Sequence, residues 1–149
     1  MATEIAYKAS AGICSQAHPQ CVVCSIANAK GLHLEFEVSE DGSVKATFEC
    51  NEALEGYPGI LHGGVISTIL DGAMGHCMFA RGQTAVTVEM TTRFRHPVVT
   101  GHKATVLARI IRYSHPLYLL EAEIIQNGEV RVIAKSKFYD QPELQRNID

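Results

Sequence analysis

The chain has 149 residues, of which 46 % are hydrophobic and 19 % charged, and its formal net charge is -3. This composition is typical of one globular domain with its own core and excludes a disordered chain. The negative balance argues against a nucleic-acid binder, which usually carries an excess of Lys and Arg. No run approaches the ~18 apolar residues of a membrane span. We therefore expect neither a nucleic-acid partner nor a membrane partner.

Residues 1–30 show no sustained periodicity and predict an irregular lead-in. The opening MATEIAYKAS lacks the charged and then apolar segments of a signal peptide. The five cysteines, an odd number, favour reduced thiols over a disulfide framework. We expect a cytoplasmic protein with a single domain over residues 1–149 and a frayed tail over residues 141–149.

Three of the cysteines lie in the lead-in segment CSQAHPQCVVC, which also holds a histidine. Cys14, His18, Cys21 and Cys24 are of the ligand types that tetrahedral zinc prefers. Zinc sites normally present two close pairs, however, and the spacing of Cys14 and His18 is not a usual pair. The pattern favours reduced thiols packed under the sheet, so we expect no metal and no cofactor. A zinc-stabilised interaction protein is the alternative.

Two strands precede the longest apolar segment. Residues 31–38, GLHLEFEV, alternate apolar and polar side chains as a half-buried strand does. Residues 43–50 alternate again after the turn EDG, which predicts a hairpin, and residues 51–59 form a loop. Apolar residues then recur at helical spacing from Val65 to about Phe79. This pattern predicts a helix that is apolar over most of its circumference.

Four more strands follow the helix, with predicted ranges of 84–95, 101–113, 116–126 and 129–139. The last two are joined by Asn127 and Gly128, a pair typical of tight hairpin turns. Two strands, one long helix and four antiparallel strands predict an α+β fold. In this fold a six-stranded antiparallel sheet wraps around the helix.

The less apolar strip of the helix carries an acid and two glycines, namely Asp71, Gly72 and Gly75. Each mid-helix glycine costs about 1 kcal/mol relative to alanine, so we expect another backbone or a ligand to approach closely there. An acid on such a strip is usually only solvated. Gly63 and Gly64, however, precede the helix and can present bare N–H groups at the positive end of its dipole, as an oxyanion site requires.

The spacing of these groups predicts a site shared between two chains. Asp71 lies seven residues beyond Gly64, about 10 Å along a helix axis. No carbonyl carbon can lie about 3 Å from both groups, which is the distance that chemistry requires. Antiparallel helices from two subunits could bring Gly64 of one chain next to Asp71 of the other. We therefore expect a homodimer with two equivalent sites.

The segment GILHGGVISTILDGAMG, set in this order of elements, resembles the hotdog-fold acyl-CoA thioesterases, especially the phenylacetate-pathway (PaaI-like) branch. The resemblance covers residues 31–140. Its most specific part is His62, Gly63 and Gly64, with Asp71 nine residues after the histidine. The resemblance implies a curved sheet around the helix and dimers that join sheets edge to edge and often form homotetramers. It also implies hydrolysis of an acyl- or aroyl-CoA thioester at the subunit interface.

The resemblance also implies roles for single residues. Gly64 N–H would polarise the thioester carbonyl, with Gly63 in the same substrate-binding loop, and His62 would help to shape that loop. The partner's Asp71 would activate water or attack directly. Thr87, in the segment VTVEM, stands where relatives often have a Ser or Thr that positions the water. Without the resemblance Thr87 is an ordinary strand threonine.

One departure from the family pattern lies just before His62. Relatives often carry an asparagine or glutamine there that contacts the thioester or its water, and at the asparagine spacing this chain has Gly56. Glu55 could serve as a second acid, and Tyr57 could line the acyl pocket. The missing amide leaves a non-catalytic acyl-CoA binding module as the alternative function. A hydratase or dehydratase ranks lower, because the spacing from His62 to Asp71 fits the thioesterase pattern better.

Coenzyme A carries phosphates, and an overall negative chain needs a local basic patch to hold them. The segment RFRHP supplies Arg93, Arg95 and His96 near the end of the third strand. Arginine there can bind phosphate through two parallel hydrogen bonds. Exposed strand arginines also protect sheet edges from unwanted pairing, so both interpretations stay open.

Overall fold

The computed structural model of the protein describes residues 14–146. Its strands are β1 (Glu37–Val38), β2 (Val44–Glu49), β3 (Ala85–Phe94), β4 (Lys103–Ser114), β5 (Leu117–Gln126) and β6 (Glu129–Asp140). They form one antiparallel sheet in the order β1-β2-β4-β5-β6-β3. Residues 14–17 are helical at the start of the described range. The elements after them are a 3-10 turn η1 (Glu52–Leu54), the long helix α1 (Gly63–Ala80) and the short α2 (Glu143–Arg146).

The core lies between α1 and one face of the sheet, which confirms the predicted α+β architecture. Strand side chains alternate between the two faces, so every second residue of β2 and β5 is buried. These residues pack against α1, which is buried around much of its circumference. Burial raises the pKa of the Cys77 thiol to about 12, so Cys77 is a packing residue of this core.

α1 begins at Gly63, two residues before the predicted start, because His62 caps it. His62 has an extended backbone, and its Nδ1 accepts a hydrogen bond from Gly64 N–H at 2.8 Å. Such a bond satisfies one of the four N–H groups that the first turn of a helix leaves unpaired. The predicted role of His62 in shaping this loop thus has a definite geometry.

The predicted strand over residues 31–38 is paired only at its end. Glu37–Val38 pairs with β2, although Leu34 and Phe36 before it are buried as the alternation predicts. His33 has a φ of 55°, which interrupts the extended backbone. The N–H groups of Leu32 and Leu34 donate to two carbonyls of the lead-in at 2.7 and 2.8 Å. This segment therefore bonds to the lead-in in place of a neighbouring strand.

The four later strands lie within two residues of their predicted ranges. Asn127 and Gly128 have φ values of 52° and 74°, as the tight hairpin turn requires. Part of the predicted frayed tail is the helical turn α2, and residues 1–13 and 147–149 lie outside the described range. None of the helices within residues 14–146 is both long enough and apolar enough to cross a membrane.

The lead-in packs on α1 at Gly72. Val23 is buried there, and a Cβ at Gly72 would lie 2.7 Å from Val23 Cγ1. Gly72 therefore makes room for a side chain of the lead-in of its own chain, where the sequence predicted another backbone or a ligand. At Gly75 a Cβ would lie 4.0 Å from the Phe138 ring, an ordinary contact.

We expect Gly72→Ala to lower the free energy of unfolding by up to about 2 kcal/mol. Overpacking against the branched Val23 side chain costs about 1–3 kcal/mol, and the better helix propensity of alanine recovers about 1 kcal/mol. The matched control is Gly75→Ala, which has room and is expected to be neutral or stabilising. Urea unfolding followed by circular dichroism measures both variants. Equal stability of the two would contradict the close packing of the lead-in on α1.

Candidate active site

Asp71 and Thr87 form the centre of the candidate site. Asp71 is half-buried in the middle of α1, and Thr87 lies on β3, an edge strand that contacts the helix. Thr87 Oγ1 donates a hydrogen bond to Asp71 Oδ1 at 2.5 Å. A bond to a charged carboxylate is stronger than one between neutral groups. It fixes the carboxylate, whose Oδ2 accepts no hydrogen bond from any residue of the described range.

A bulge in β3 accompanies this contact. Thr87 pairs with Phe138 of β6 and Glu89 pairs with the preceding Lys137, so the intervening Val88 has no partner on β6. Bulges bend a strand and change the direction of its side chains. The bulge directly follows the threonine that reaches Asp71, and it leaves Val88 exposed on the outer strand.

The second part of the site is the N-terminus of α1. Gly64 N–H is engaged by the His62 cap, whereas no acceptor within residues 14–146 takes the Gly63 N–H in a hydrogen bond. The predicted donor, Gly64 N–H, is thus occupied by the cap in this structure, and the amide free to donate is that of Gly63. Free N–H groups at this end of a helix attract negative charge.

A cavity of about 280 Å³ opens beside Gly63, and its lining includes Phe94, Arg95 and His96. Two of the three predicted basic residues thus share a cavity with the helix N-terminus. Arg93 is not among the lining residues. Phe94 is not predicted as a site residue, because the sequence pattern singles out only the basic residues around it. Phe94 is 52 % exposed, and its ring would lie 3.6 Å from a Cβ at Gly63.

The place of the missing amide is covered by the imidazole of His62. A Cβ at Gly56 would lie 3.2 Å from His62 Cδ2, closer than a comfortable contact. A second cavity, of about 360 Å³, lies along Gly56, Tyr57, His62 and Gly63. Tyr57 is 80 % exposed at its rim, a position that suits the predicted contact with an acyl group.

Glu55 holds the loop before α1 together. Its Oε2 accepts a hydrogen bond from Gly59 N–H at 2.9 Å, and its backbone forms an isolated bridge with Leu61. The structure therefore gives Glu55 a part in the shape of the loop. None of the contacts in the described range supports its predicted use as a second acid.

A single chain keeps the two parts of the site apart. α1 is continuous from Gly63 to Ala80, and Asp71 lies eight residues after Gly63. At 1.5 Å per residue this is about 12 Å along the helix axis. The free amide and the acid of one chain therefore cannot act on the same carbonyl group.

The lead-in cysteines form a separate cluster with His18 and His76 against α1. The hydrogen bond from Cys24 lowers the pKa of Cys21 to about 3 and that of Cys14 to about 5, against the effect of burial. The same contacts raise the pKa of Cys24, and the hydrogen bond with Cys21 raises the pKa of His18. His76 belongs to this cluster although it is 52 residues beyond Cys24 in the sequence.

Comparison with known proteins identifies the family. Residues 58–133 match the Thioesterase superfamily, and the chain belongs to that family. Over 71 residues it is 34 % identical to the acyl-coenzyme A thioesterase THEM4 of Bos taurus. That stretch covers 46 % of this chain and 29 % of the relative, so the match spans less than a third of the relative's length.

Solved structures share the fold. The E. coli PaaI protein from the phenylacetic acid degradation operon superposes with a TM-score of 0.79 over 95 % of this chain and 96 % of that chain, at 18 % identity. The thioesterase superfamily protein RHA08564 has a TM-score of 0.72 at 26 % identity over 76 % of this chain and 56 % of that one. The protein smu.793 of Streptococcus mutans, solved with acetyl-CoA, has a TM-score of 0.68 at 20 % identity. The match covers 72 % of this chain and 88 % of that chain.

Proposed function

We propose that the protein hydrolyses an acyl- or aroyl-CoA thioester to the free acid and CoA, at a site shared between two copies of the chain. The observation that carries the proposal is the Thr87–Asp71 hydrogen bond on a helix whose free Gly63 N–H lies about 12 Å away. Membership of the family, and the match to an acyl-CoA thioesterase, support the reaction class.

In the proposed reaction the Gly63 N–H of one copy donates to the thioester carbonyl oxygen. The partner's Asp71 takes a proton from a water that attacks the carbonyl carbon, or attacks that carbon directly. The helix N-terminus stabilises the oxyanion of the tetrahedral intermediate. Collapse of the intermediate breaks the C–S bond, and in the water route the CoA thiolate takes up the proton that Asp71 holds. In the direct route the collapse leaves a mixed anhydride of the acyl group with Asp71. Water hydrolyses this anhydride to the free acid and the Asp71 carboxylate, and the CoA thiolate takes up the proton released. Thr87 keeps the carboxylate in position throughout.

Two solved structures of a hypothetical thioesterase from Streptococcus pneumoniae support the pairing of acid and hydroxyl. One carries a change of an aspartate to alanine, and the other a change of a threonine sixteen residues later. Asp71 and Thr87 are separated by the same 16 residues. A further structure of a Streptococcus pneumoniae thioesterase contains coenzyme A.

β3 is the surface on which we infer that a second copy pairs. It forms one edge of the sheet, and its exposed side chains include the apolar Val86, Val88 and Phe94. An unpaired apolar edge is a template for another strand. A symmetric pairing of two β3 strands would bring Thr87 near the partner's α1. Pairing of two such dimers into a tetramer belongs to the same proposal, as does a cytoplasmic location, which the odd cysteine number supports.

We expect Thr87→Ala to lower kcat about 10–100-fold, because a hydrogen bond to a charged group is worth about 1.5–3 kcal/mol. Thr87→Ser keeps the hydroxyl and is expected to stay within a few-fold of the wild type. Release of free CoA thiol, measured over a range of substrate concentrations, separates kcat from KM. Equal rates for the alanine and serine variants would contradict the role of the hydroxyl.

A thiol-release screen tests the reaction itself, with acetyl-CoA, medium- and long-chain acyl-CoA and aroyl-CoA as substrates. We expect turnover of at least one ester, which also identifies the acyl group that the cavity along Tyr57 accepts. The second candidate is a non-catalytic acyl-CoA binding module. It is favoured by Gly56, which has no amide side chain and lies under the His62 imidazole. Calorimetric binding of these esters without turnover of any of them would establish that module instead.

A further inference from the structure

We propose that Cys14, Cys21, Cys24 and His76 bind one zinc ion, which joins the lead-in to α1. The structure brings two ligand groups together: Cys14, Cys24 and His76 form the first, and His18, Cys21 and Cys24 the second. Within each group all ligand atoms lie within 4.8 Å of one another. Cys24 belongs to both groups and is the centre of the cluster.

The separations suit tetrahedral zinc. With Zn–S bonds of about 2.3 Å and a Zn–N bond of about 2.0 Å, ligand atoms on one ion lie about 3.5–3.8 Å apart. Cys14 Sγ lies 3.2 Å from Cys24 Sγ and 3.6 Å from His76 Nε2. Movements of a few tenths of an ångström would place these three atoms around one ion. Cys21 shares a ligand group with Cys24 but not with Cys14 or His76, so its Sγ lies more than 4.8 Å from the ligand atoms of those two residues. It would complete the set by moving at least about 1 Å toward them.

The surroundings of the cluster orient its ligands. Val23 N–H donates to Cys21 Sγ at 3.3 Å, the kind of second contact that positions a metal-bound sulfur. The His76 ring is 8 % exposed, stacks on Phe36 at 4.2 Å between ring centroids and meets the edge of Phe79. Its Nε2 faces Cys14 Sγ. These contacts hold the His76 ring in place before any metal arrives.

The fourth ligand is assigned to His76 in preference to His18. The His18 ring packs on the edge of Phe79 at 4.9 Å between ring centroids, but His18 is exposed and shares no ligand group with Cys14. His76 is already fixed on α1, one helical turn beyond Gly72, where the lead-in packs through Val23. Zinc here would tie a segment without a strand partner to the central helix, as structural zinc does in small domains.

Metal analysis of the purified full chain tests this site. Inductively coupled plasma mass spectrometry of protein prepared with zinc is expected to give about one zinc per chain. Cys24→Ser is expected to lose it, because Cys24 belongs to both ligand groups. The matched control is Cys50→Ser: Cys50 lies outside the cluster, and a serine can still accept the hydrogen bond from Gln126. This control is expected to keep its zinc.

Two variants distinguish which histidine is the fourth ligand. His76→Gln is expected to lose zinc, and His18→Gln is expected to keep it. Circular dichroism confirms that each variant is folded. Substitution of cobalt for zinc in the wild type is expected to give the intense visible bands of a tetrahedral ion and near-ultraviolet charge transfer from thiolate. Chelation is expected to lower the melting temperature of the wild type, since the metal binds only the folded chain.

Zinc-free folded protein after preparation with zinc would overturn the proposal, and so would zinc retained by Cys24→Ser. A disulfide between Cys14 and Cys24 in that preparation, detected by mass spectrometry after alkylation, would overturn it as well. Loss of zinc in His18→Gln but not in His76→Gln would refute the assignment of the fourth ligand. None of these experiments measures hydrolysis, so their outcome does not depend on whether the protein is a thioesterase.

Discussion

Asp71→Asn is expected to lower kcat for thioester hydrolysis by about a thousandfold while the protein keeps its fold. Asparagine has the size of aspartate, and its side-chain carbonyl can still accept the hydrogen bond from Thr87. It cannot take a proton from water or attack as an anion. Loss of a positioned acid–base group costs about 10²–10⁴-fold in rate. Thiol release measures the effect, and thermal melting verifies the fold.

The control for this variant is Glu89→Gln, which removes one negative charge from β3 two residues after Thr87. Glu89 is exposed and paired with Lys137 at 3.5 Å. We expect its hydrolysis rate to stay within about twofold of the wild type, since surface ion pairs contribute little. Full activity of Asp71→Asn at unchanged stability would assign the base to another residue.

Gly63→Pro is expected to lower kcat by about 10²–10³-fold, the usual effect of removing one oxyanion donor. Gly63 is the first residue of α1, where proline fits because its missing N–H has no helical partner. His62, with φ of −60° and ψ of 134°, already has the extended backbone that a residue before proline prefers. The change thus deletes one N–H group and leaves the helix start intact.

Gly63→Ala is the matched control, because it adds a side chain and keeps the N–H. The new Cβ would lie 3.6 Å from the Phe94 ring, an ordinary contact. We expect its kcat to be close to that of the wild type, while KM reports any narrowing of the cavity. If the proline and alanine variants turn over substrate equally fast, the Gly63 amide does not bind the oxyanion.

Periodicity predicts most of the fold because the elements are long and regular. The buried helix and the strands alternate clearly, and Asn127–Gly128 predicts its turn from local chemistry alone. The first strand differs because its pairing depends on where the lead-in lies. Leu32 and Leu34 find carbonyl partners there, and local alternation carries no information about that contact.

The sequence predicts which residues form the candidate site better than it predicts the contacts between them. Asp71 and Thr87 follow from the resemblance, and the structure adds their hydrogen bond. The choice between Gly63 and Gly64 depends on the His62 cap, since histidine is not among the usual capping residues. Sequence reasoning finds the two glycines but not which amide the cap uses.

The lead-in shows the same limit. The structure explains why position 72 is a glycine: the Val23 side chain of the lead-in packs directly against it. The cysteine spacing alone favours packed thiols, because the buried imidazole of His76 comes from a distant part of the chain. In both cases the deciding neighbour is brought in by tertiary packing.

Mixed dimers test most directly whether the amide that binds the carbonyl oxygen and the acid that serves the attack on the carbonyl carbon come from different chains. A dimer purified through two tags, with Asp71→Asn in one copy and Gly63→Pro in the other, would contain one intact and one doubly altered site. We predict about half of the wild-type rate per dimer. A wild-type copy paired with a copy carrying both changes should be almost inactive. The reverse result, an inactive first dimer and a half-active second one, would contradict a shared site.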